Sequence, residues 1–280
     1  MDGDADEAIA GHAPARTTGE ARLAVSGGQR GEAVEVGGRD RFVRALSDAR
    51  SSRRLVFAGG TCDSVAAVAT FSLIHGGGGS AWDWHLVAPA LREHGHDAVA
   101  VDLPGEDESA GWEEYADAVV EAIGDRRGIV VVGHSLGGFT APLVCVRIPV
   151  DLLVLVAAMI PSPGERFADW WANAGYEETG YDDVFYHDVP PELAAEARRR
   201  ERNESSKALQ EPWPLEAWPD TPTRYLLCRD DRMFPAAWAR RHARERLGID
   251  PDEMDGGHYI SLSRPREFAD RLAAYAAETH

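Results

Sequence analysis

The sequence has few cysteines, no paired metal-ligand spacing and no long apolar run. Its three cysteines, Cys62, Cys145 and Cys228, stand far apart and are odd in number, which predicts buried or inert thiols. Charged residues, glycine or proline interrupt every apolar stretch before the roughly 18 to 20 residues that a membrane helix needs. We therefore expect no bound metal and no association with a membrane.

Positive charge is also scarce. The chain carries 29 basic against 47 acidic side chains, for a formal net charge of −18, and Lys207 is its one lysine. A field of this sign repels phosphate backbones, so nucleic acid is not an expected partner. The N-terminal run from Met1 to Glu7 is acidic and no apolar leader segment follows it, so we expect a cytoplasmic protein.

The composition changes near residue 68. Residues 1–67 are rich in Gly, Ala, Ser, Asp, Glu and Arg and predict an N-terminal extension that is disordered or loosely packed. From residue 68 to residue 280, short apolar runs alternate with amphipathic stretches, which indicates βαβ units on a parallel sheet. The predicted strands are 70–74, 98–101, 129–132, 152–157 and 224–228. The predicted helices are 82–94, 112–123, 136–147, 235–247 and 265–277, and right-handed crossovers place them on both faces of the sheet.

This alternation breaks between about residues 161 and 222. The stretch holds four tryptophans, at positions 170, 171, 213 and 218, and a polar, helix-like run over 192–208. We interpret it as a small helical cap inserted between two core strands.

The strongest chemical signal is a buried strand that leads through Gly133-His134-Ser135-Leu136-Gly137 into a helix. Gly-x-Ser-x-Gly in this context is a nucleophile elbow, a turn so tight that the residues flanking the serine must be small. The serine also lies at a helix N-terminus, where free backbone N–H groups favour developing negative charge. The sequence therefore predicts Ser135 as a nucleophile.

A serine hydroxyl needs a general base and an acid that orients that base. His258 follows Gly256-Gly257 on a loop before the last helix and is the predicted base. Asp230 and Asp231 both follow the strand 224–228, where the acid is expected. We favour Asp231 because of its place in the loop ahead of the next helix, and Asp230 remains the alternative.

The developing alkoxide needs backbone donors as well. The strand 70–74 ends in His75 followed by four glycines, and residues without side chains let a backbone N–H approach the oxyanion. The predicted oxyanion hole consists of the amides of Gly77 and Leu136.

Taken together, these motifs resemble those of the α/β-hydrolase superfamily, in particular its small plant methylesterase and hydroxynitrile lyase group. The resemblance extends from about residue 69 to the C-terminus. Its further motifs are Trp82 and Trp84, the run 102–105, and Gly257-His258. It implies an α/β fold with a mainly parallel sheet of about six strands, helices on both faces and a small helical cap. It also implies an active site at the carboxyl ends of the strands and no cofactor.

Two differences from enzymes of this fold reduce the number of reactions that the resemblance allows. Hydroxynitrile lyases of that group use a lysine in the pocket, whereas Lys207 lies in the polar run of the cap. Epoxide hydrolases and haloalkane dehalogenases of this fold carry aspartate at the elbow, where this chain has Ser135. The resemblance therefore favours a carboxylesterase.

The substrate pocket is predicted to be walled by core residues and by the aromatic cap. The predicted lining consists of His75, Phe139, Met159, Trp170, Trp171 and Tyr176. Such side chains suit an apolar acyl or alcohol group. Aromatic residues of a small cap can equally form its own packing core, and both interpretations stay open.

The resulting hypothesis is a serine hydrolase that cleaves the ester, or a related acyl bond, of a small and partly apolar molecule through an acyl-enzyme. Its expected partner is that small-molecule substrate, and the expected assembly is a monomer or homodimer. The alternatives are a ligand-binding receptor with slow or no turnover on the same fold, and a carbon–carbon hydrolase or lyase.

Overall fold

The computed structural model describes residues 68–279, so the predicted extension over residues 1–67 lies outside the described residues. A single sheet of six parallel strands forms the centre of this region, in the order β2-β1-β3-β4-β5-β6. The strands are β1 (Thr70–Ile74), β2 (Asp97–Val101), β3 (Ile129–His134), β4 (Leu152–Val156), β5 (Thr223–Cys228) and β6 (Asp252–Met254). The predicted α/β class and mainly parallel sheet of about six strands are confirmed. Strand β6 was not predicted, because its three residues, Asp-Glu-Met, contain no apolar run.

Helices cover both faces of the sheet. They are α1 (Val87–Glu93), α2 (Trp112–Ile123), α3 (Gly137–Cys145), α4 (Phe167–Asn173), α5 (Pro191–Arg199), α6 (Ser206–Gln210), α7 (Ala236–Leu247), α8 (Ile260–Ser263) and α9 (Pro265–Glu278). The predicted helix over 82–94 is divided into a short 3₁₀ helix, Ala81–Trp84, and α1. No helix of residues 68–279 is both long and apolar enough to span a membrane.

The sheet separates two hydrophobic clusters. Ile129 and Val131 of β3 belong to the cluster that α2, α3 and α7 cover, while Val130 and Val132 belong to the cluster under α1 and α9. Successive side chains of a strand point to opposite faces. A central strand must therefore be apolar at every position, and this explains the unbroken Ile-Val-Val-Val run.

Three helices, α4 to α6, lie between β4 and β5 and form the cap region. The prediction of one helix-like polar run over 192–208 is wrong, because α5 ends at Arg199 and α6 begins at Ser206. The residues between them run beside the loop that follows β1, where the Arg202 N–H donates to the Gly78 carbonyl at 2.9 Å. That contact is made with a distant loop, so no local pattern signals the break.

Candidate active site

Ser135 occupies a strained turn between β3 and α3. Its φ is +50°, a left-handed conformation that non-glycine residues rarely adopt. The Ser135 N–H donates to the Val156 carbonyl at 3.2 Å, and the Ser135 carbonyl accepts from the Gly138 N–H at 3.1 Å. A Cβ atom at Gly133 would lie 2.8 Å from the Ala141 Cβ. The turn therefore requires glycine beside the serine, as the motif predicts.

The structure brings three of the predicted side chains into one hydrogen-bonded chain. The Ser135 hydroxyl lies 3.0 Å from His258 Nε2, and His258 Nδ1 lies 2.9 Å from Asp231 Oδ2. The Asp231 and His258 side chains are 0% and 1% exposed, so water does not compete for their hydrogen bond. A neutral imidazole that donates Nδ1–H to the carboxylate presents Nε2 as an acceptor to the serine hydroxyl.

The two candidate acids have different surroundings. Asp231 Oδ1 accepts from the backbone N–H groups of Met233 at 2.7 Å and Phe234 at 2.9 Å, so its other oxygen is left for His258. Asp230 instead accepts from the Gly256 N–H at 3.0 Å and braces the loop that carries the histidine. Of the two aspartates, the structure places Asp231 against the imidazole.

The predicted oxyanion donors belong to the residue after the serine and to the glycine loop that passes beside it. Neither the Gly77 nor the Leu136 N–H donates to an acceptor within residues 68–279. The loop after β1 passes so close to the elbow that a Cβ at Gly76 would lie 2.8 Å from the Ser135 Cβ. Two unpaired amides beside a nucleophile can receive the negative oxygen of a tetrahedral intermediate.

His75, a predicted pocket residue, follows β1 directly. Its side chain is buried, with Nδ1 lying 2.8 Å from the Gly76 carbonyl and Nε2 accepting from the Leu103 N–H at 3.2 Å. Burial lowers the pKa of His75 to about 4, so the ring is neutral and Nδ1–H donates to Gly76. The Gly76 carbonyl and the Gly77 N–H share one peptide plane. His75 therefore orients a predicted oxyanion donor. It also lines a small cavity with Leu136 and Glu204, so its predicted pocket role stays a prediction.

Three further predicted pocket residues pack in the core. Phe139, Met159 and Trp170 are 0 to 2% exposed. The Trp170 indole N–H donates to the Ile160 carbonyl at 3.1 Å, and Phe139 stacks on Trp112 with the ring centroids 4.8 Å apart. These contacts correct the prediction and favour the packing interpretation for all three.

Trp171 and Tyr176 are half-buried. Their ring centroids are 5.1 Å apart, and both rings contact Phe234. They remain candidates for the pocket wall.

Sequence reasoning missed two phenylalanines that flank the base. The ring centroids of Phe185 and Phe234 each lie 5.4 Å from that of His258. Phe234 is buried, whereas Phe185 is 39% exposed. The position of Phe234, three residues after the acid, is a signal that could have been used. Phe185 lies in an irregular part of the cap, where no pattern marks it.

His134 was also missed. Its Nε2 lies 2.9 Å from the His258 carbonyl, and burial, together with the nearby His258 ring, lowers its pKa to about 3. The neutral ring must therefore donate Nε2–H to that carbonyl. The elbow thus fixes the backbone of the catalytic base as well as presenting the serine.

Potential metal ligands are not clustered in the part of the chain that the structure describes. No group of three or more His, Cys, Asp or Glu side chains there could hold a metal ion.

Comparison with known proteins supports the same architecture. The model of the alpha/beta hydrolase family matches residues 73–271. A probable esterase of Oryza sativa subsp. indica is 38% identical over 110 residues, which cover 34% of this chain and 41% of the rice protein. The matched part thus spans less than half the length of that relative. Methylesterase 2 of Arabidopsis thaliana is 26% identical over 254 residues, covering 74% of this chain and 95% of that protein.

A solved structure extends the likeness to the fold. The crystal structure of polyneuridine aldehyde esterase, an enzyme known from Rauvolfia serpentina, superposes with a TM-score of 0.65 at 21% identity. It covers 75% of this chain and 100% of that one. With the family model matching well over half of the chain, this protein belongs to the α/β-hydrolase family.

Proposed function

We propose that this protein is a serine esterase that hydrolyses a carboxylic ester of a small, partly apolar molecule. The observation that carries the proposal is the continuous chain from the Ser135 hydroxyl through His258 to Asp231, with contacts of 3.0 and 2.9 Å. Relatives named as esterases and methylesterases support it.

The first half of the proposed reaction forms an acyl-enzyme. Ser135 Oγ adds to the ester carbonyl carbon while its proton moves to His258 Nε2. The carbonyl oxygen becomes an alkoxide and accepts from the N–H groups of Gly77 and Leu136. When this intermediate collapses, the bond to the alcohol breaks and the imidazolium gives its proton to the departing oxygen.

The second half releases the acid. Water takes the place of the alcohol, His258 Nε2 removes a proton from it, and the hydroxyl oxygen adds to the acyl carbon. Collapse of the second tetrahedral intermediate breaks the bond to Ser135 and returns the proton to its oxygen. Asp231 stabilises the imidazolium in both halves.

The surroundings of His258 indicate which part of the substrate is apolar. His258 must protonate the departing alcohol oxygen, so the alcohol group lies on the imidazole side of the scissile bond. Phe185 and Phe234 flank that imidazole, and the Phe185 ring is partly exposed. We therefore assign the apolar part of the substrate to the alcohol group, against the Phe185 ring.

The test is a panel of esters assayed with the wild type and the Ser135→Ala variant. The panel keeps a short acyl group and varies the alcohol from methyl to benzyl and naphthylmethyl. We expect kcat/KM to rise with the apolar area of the alcohol. Removing the nucleophile should lower kcat by at least about 10⁴-fold, while the circular dichroism spectrum stays unchanged.

Two results would contradict the proposal. Turnover by Ser135→Ala near the wild-type rate would exclude Ser135 as the nucleophile. Saturable binding of the esters by the wild type with negligible product would favour a receptor instead.

A further inference from the structure

Glu204 of the cap lies against the loop that carries the predicted oxyanion donor. Its Oε1 accepts from the Gly78 N–H at 3.0 Å, and its Oε2 accepts from the Tyr115 hydroxyl at 2.9 Å. Two residues earlier, the Arg202 N–H donates to the Gly78 carbonyl at 2.9 Å. The cap therefore holds the N–H and the carbonyl of one loop residue.

The loop needs such support because of its composition. Residues 76 to 79 are all glycine, so the backbone between His75 and Ser80 has unusual freedom to rotate. Gly78 adopts a left-handed φ of +71°, and the one backbone hydrogen bond within the loop runs from the Gly79 N–H to the Gly76 carbonyl at 3.1 Å.

The peptide planes on the two sides of Gly77 are held by different side chains. His75 and the Gly79 N–H fix the Gly76 carbonyl, which shares its plane with the Gly77 N–H. Glu204 fixes the next plane, which joins Gly77 to Gly78. With both planes fixed, the φ and ψ of Gly77 are determined and its N–H keeps one direction.

The carboxylate is itself held in place. The Tyr115 hydroxyl that donates to Glu204 also accepts from the Ser205 N–H at 3.1 Å, so helix α2, the cap and the glycine loop meet at this group. Burial raises the pKa of Glu204 above its ordinary value, and the hydrogen bonds from Gly78 and Tyr115 and the charge of Arg202 only partly oppose this shift. Two hydrogen bonds therefore hold a carboxylate that the proposed reaction does not use.

We propose that Glu204 is a positioning residue, which holds the glycine loop so that the Gly77 N–H points at the developing oxyanion. The inference rests on the proposed esterase function. It makes the cap a part of the machinery for stabilising the transition state, in addition to a cover for the substrate.

The test compares Glu204→Ala, Glu204→Gln and the wild type on one ester substrate. A misdirected donor weakens binding of the transition state and leaves ground-state binding alone. We therefore expect Glu204→Ala to lower kcat by about 10- to 100-fold with KM within twofold of the wild type. The inhibition constant of a trifluoromethyl ketone, which forms an oxyanion on Ser135, should rise in parallel. Glu204→Gln should recover most of the activity because its amide oxygen can still accept from Gly78.

Two comparisons isolate the role of the carboxylate. Glu201→Ala removes an exposed carboxylate three residues upstream and should leave kcat and the inhibition constant unchanged. Backbone amide exchange at residues 76–79, measured by mass spectrometry, should accelerate in Glu204→Ala and not in Glu201→Ala. If Glu204→Ala does not fold, Tyr115→Phe replaces it and should lower kcat about threefold at constant KM.

The possible outcomes separate the two proposals. A folded Glu204→Ala with wild-type kcat and inhibition constant would overturn the positioning role, whereas ester turnover by the wild type would still stand. A wild type that hydrolyses no ester would remove the proposed function, and the amide exchange would then decide alone whether Glu204 holds the loop. Unchanged exchange would overturn that role.

Discussion

The sheet and the cap are organised in different ways. Neighbouring strands pair in parallel through backbone hydrogen bonds, and the central strands carry continuous runs of apolar side chains. The cap is attached instead by separate contacts of backbone and side-chain groups, such as the Arg202 N–H on the Gly78 carbonyl and several indole N–H groups on carbonyls. The indole N–H groups of Trp213 and Trp218 donate to the Phe139 and Pro161 carbonyls at 2.8 and 2.9 Å.

The same difference applies to the functional residues. Ser135 and Asp231 follow predicted strands and His258 precedes the predicted last helix, all at the carboxyl edge of the sheet, where parallel strands end together. The cap residues near the site, Phe185 and Glu204, lie between helices and depend on distant partners. The sheet therefore fixes the positions of the catalytic residues. The cap adds side chains beside the site through contacts between distant residues, which no periodic sequence pattern predicts.

The largest expected effect compares the glycine that follows the elbow directly, Gly138 of α3, with a glycine of the cap. A Cβ at Gly138 would overlap the carbonyl oxygen of Met159, so helix α3 would have to move away from the chain after β4. We expect Gly138→Ala to lower the free energy of unfolding by at least about 4 kcal/mol, since severe effects of this kind arise from backbone clashes in packed cores. Urea denaturation followed by circular dichroism measures the change.

The matched control is Gly164→Ala in the cap. Gly164 has a φ of +72°, but nothing lies within 4 Å of the added Cβ. Only the left-handed strain remains, which costs about 1 to 2 kcal/mol. Equal losses in the two variants would show that the elbow is no more tightly packed than the cap.

The next effect concerns the ion pair that ties the cap to α7. Arg246 donates to both oxygens of Glu165, at 2.7 and 3.1 Å, and the two side chains are 12% and 4% exposed. Arg246→Met leaves a buried carboxylate without its cation, and we expect a loss of about 3 kcal/mol in the free energy of unfolding at pH 7. Thermal and urea denaturation measure it.

The pH dependence of this pair has a definite sign. Burial raises the pKa of Glu165, but hydrogen bonds from Arg246, Ser162 and Asn173 outweigh it and lower the pKa overall. The stability it contributes is present above the ordinary glutamate pKa and is lost as the pH falls below it. The double variant Arg246→Met, Glu165→Gln should recover most of the loss at pH 7, because no uncompensated charge remains. Failure to recover would mean that Arg246 acts through packing.

The sequence predicts the sheet well because its signals are local. The bounds of β1 and α2 agree with the prediction at both ends, and the elbow was predicted from five consecutive residues. The preference for Asp231 over Asp230 followed from its place in the loop, and the structure also puts Asp231 on the imidazole.

The remaining features depend on contacts between distant parts of the chain. The break in the polar run at Arg200 follows from the contact of Arg202 with Gly78, and the roles of His75 and Phe139 follow from partners on other elements. An aromatic residue looks the same in a sequence whether it walls a pocket or packs beneath it. Only the fold shows which of its faces is covered.

The smallest expected effect concerns Asp83, a buried carboxylate outside the cap whose pKa shifts in the opposite direction to that of Glu165. Asp83 follows the glycine loop and accepts from the Ser80 N–H at 3.2 Å. Burial raises its pKa from 3.8 to about 7, the hydrogen bond from Ser80 opposes this shift, and the charge of Asp102 adds to it. The folded state therefore holds a proton that the unfolded state releases, which is the opposite of Glu165.

The sign of the prediction follows from that difference. The contribution of Asp83 to stability is complete below its unfolded pKa and is lost as the pH rises toward 7. Asp83→Asn removes this titration and keeps an oxygen that can accept from Ser80. The full pKa shift corresponds to a change of at most about 4 kcal/mol in the free energy of unfolding. Local relaxation of the folded state should reduce this to about 2 kcal/mol. We therefore expect the free energy of unfolding of Asp83→Asn, relative to that of the wild type, to rise by about 2 kcal/mol from pH 4 to pH 8. Urea denaturation at both pH values measures it.

The control for this prediction is Asp182→Asn, which changes an exposed carboxylate of the cap. Its difference from the wild type should be the same at pH 4 and pH 8, because the exposed Asp182 side chain keeps its contact with water when the chain folds. A pH-independent difference for Asp83→Asn as well would show that Asp83 is ionised in the folded protein. The 3₁₀ helix after the glycine loop would then be capped by a charged carboxylate, and Asp83 would add no response to pH that opposes that of Glu165.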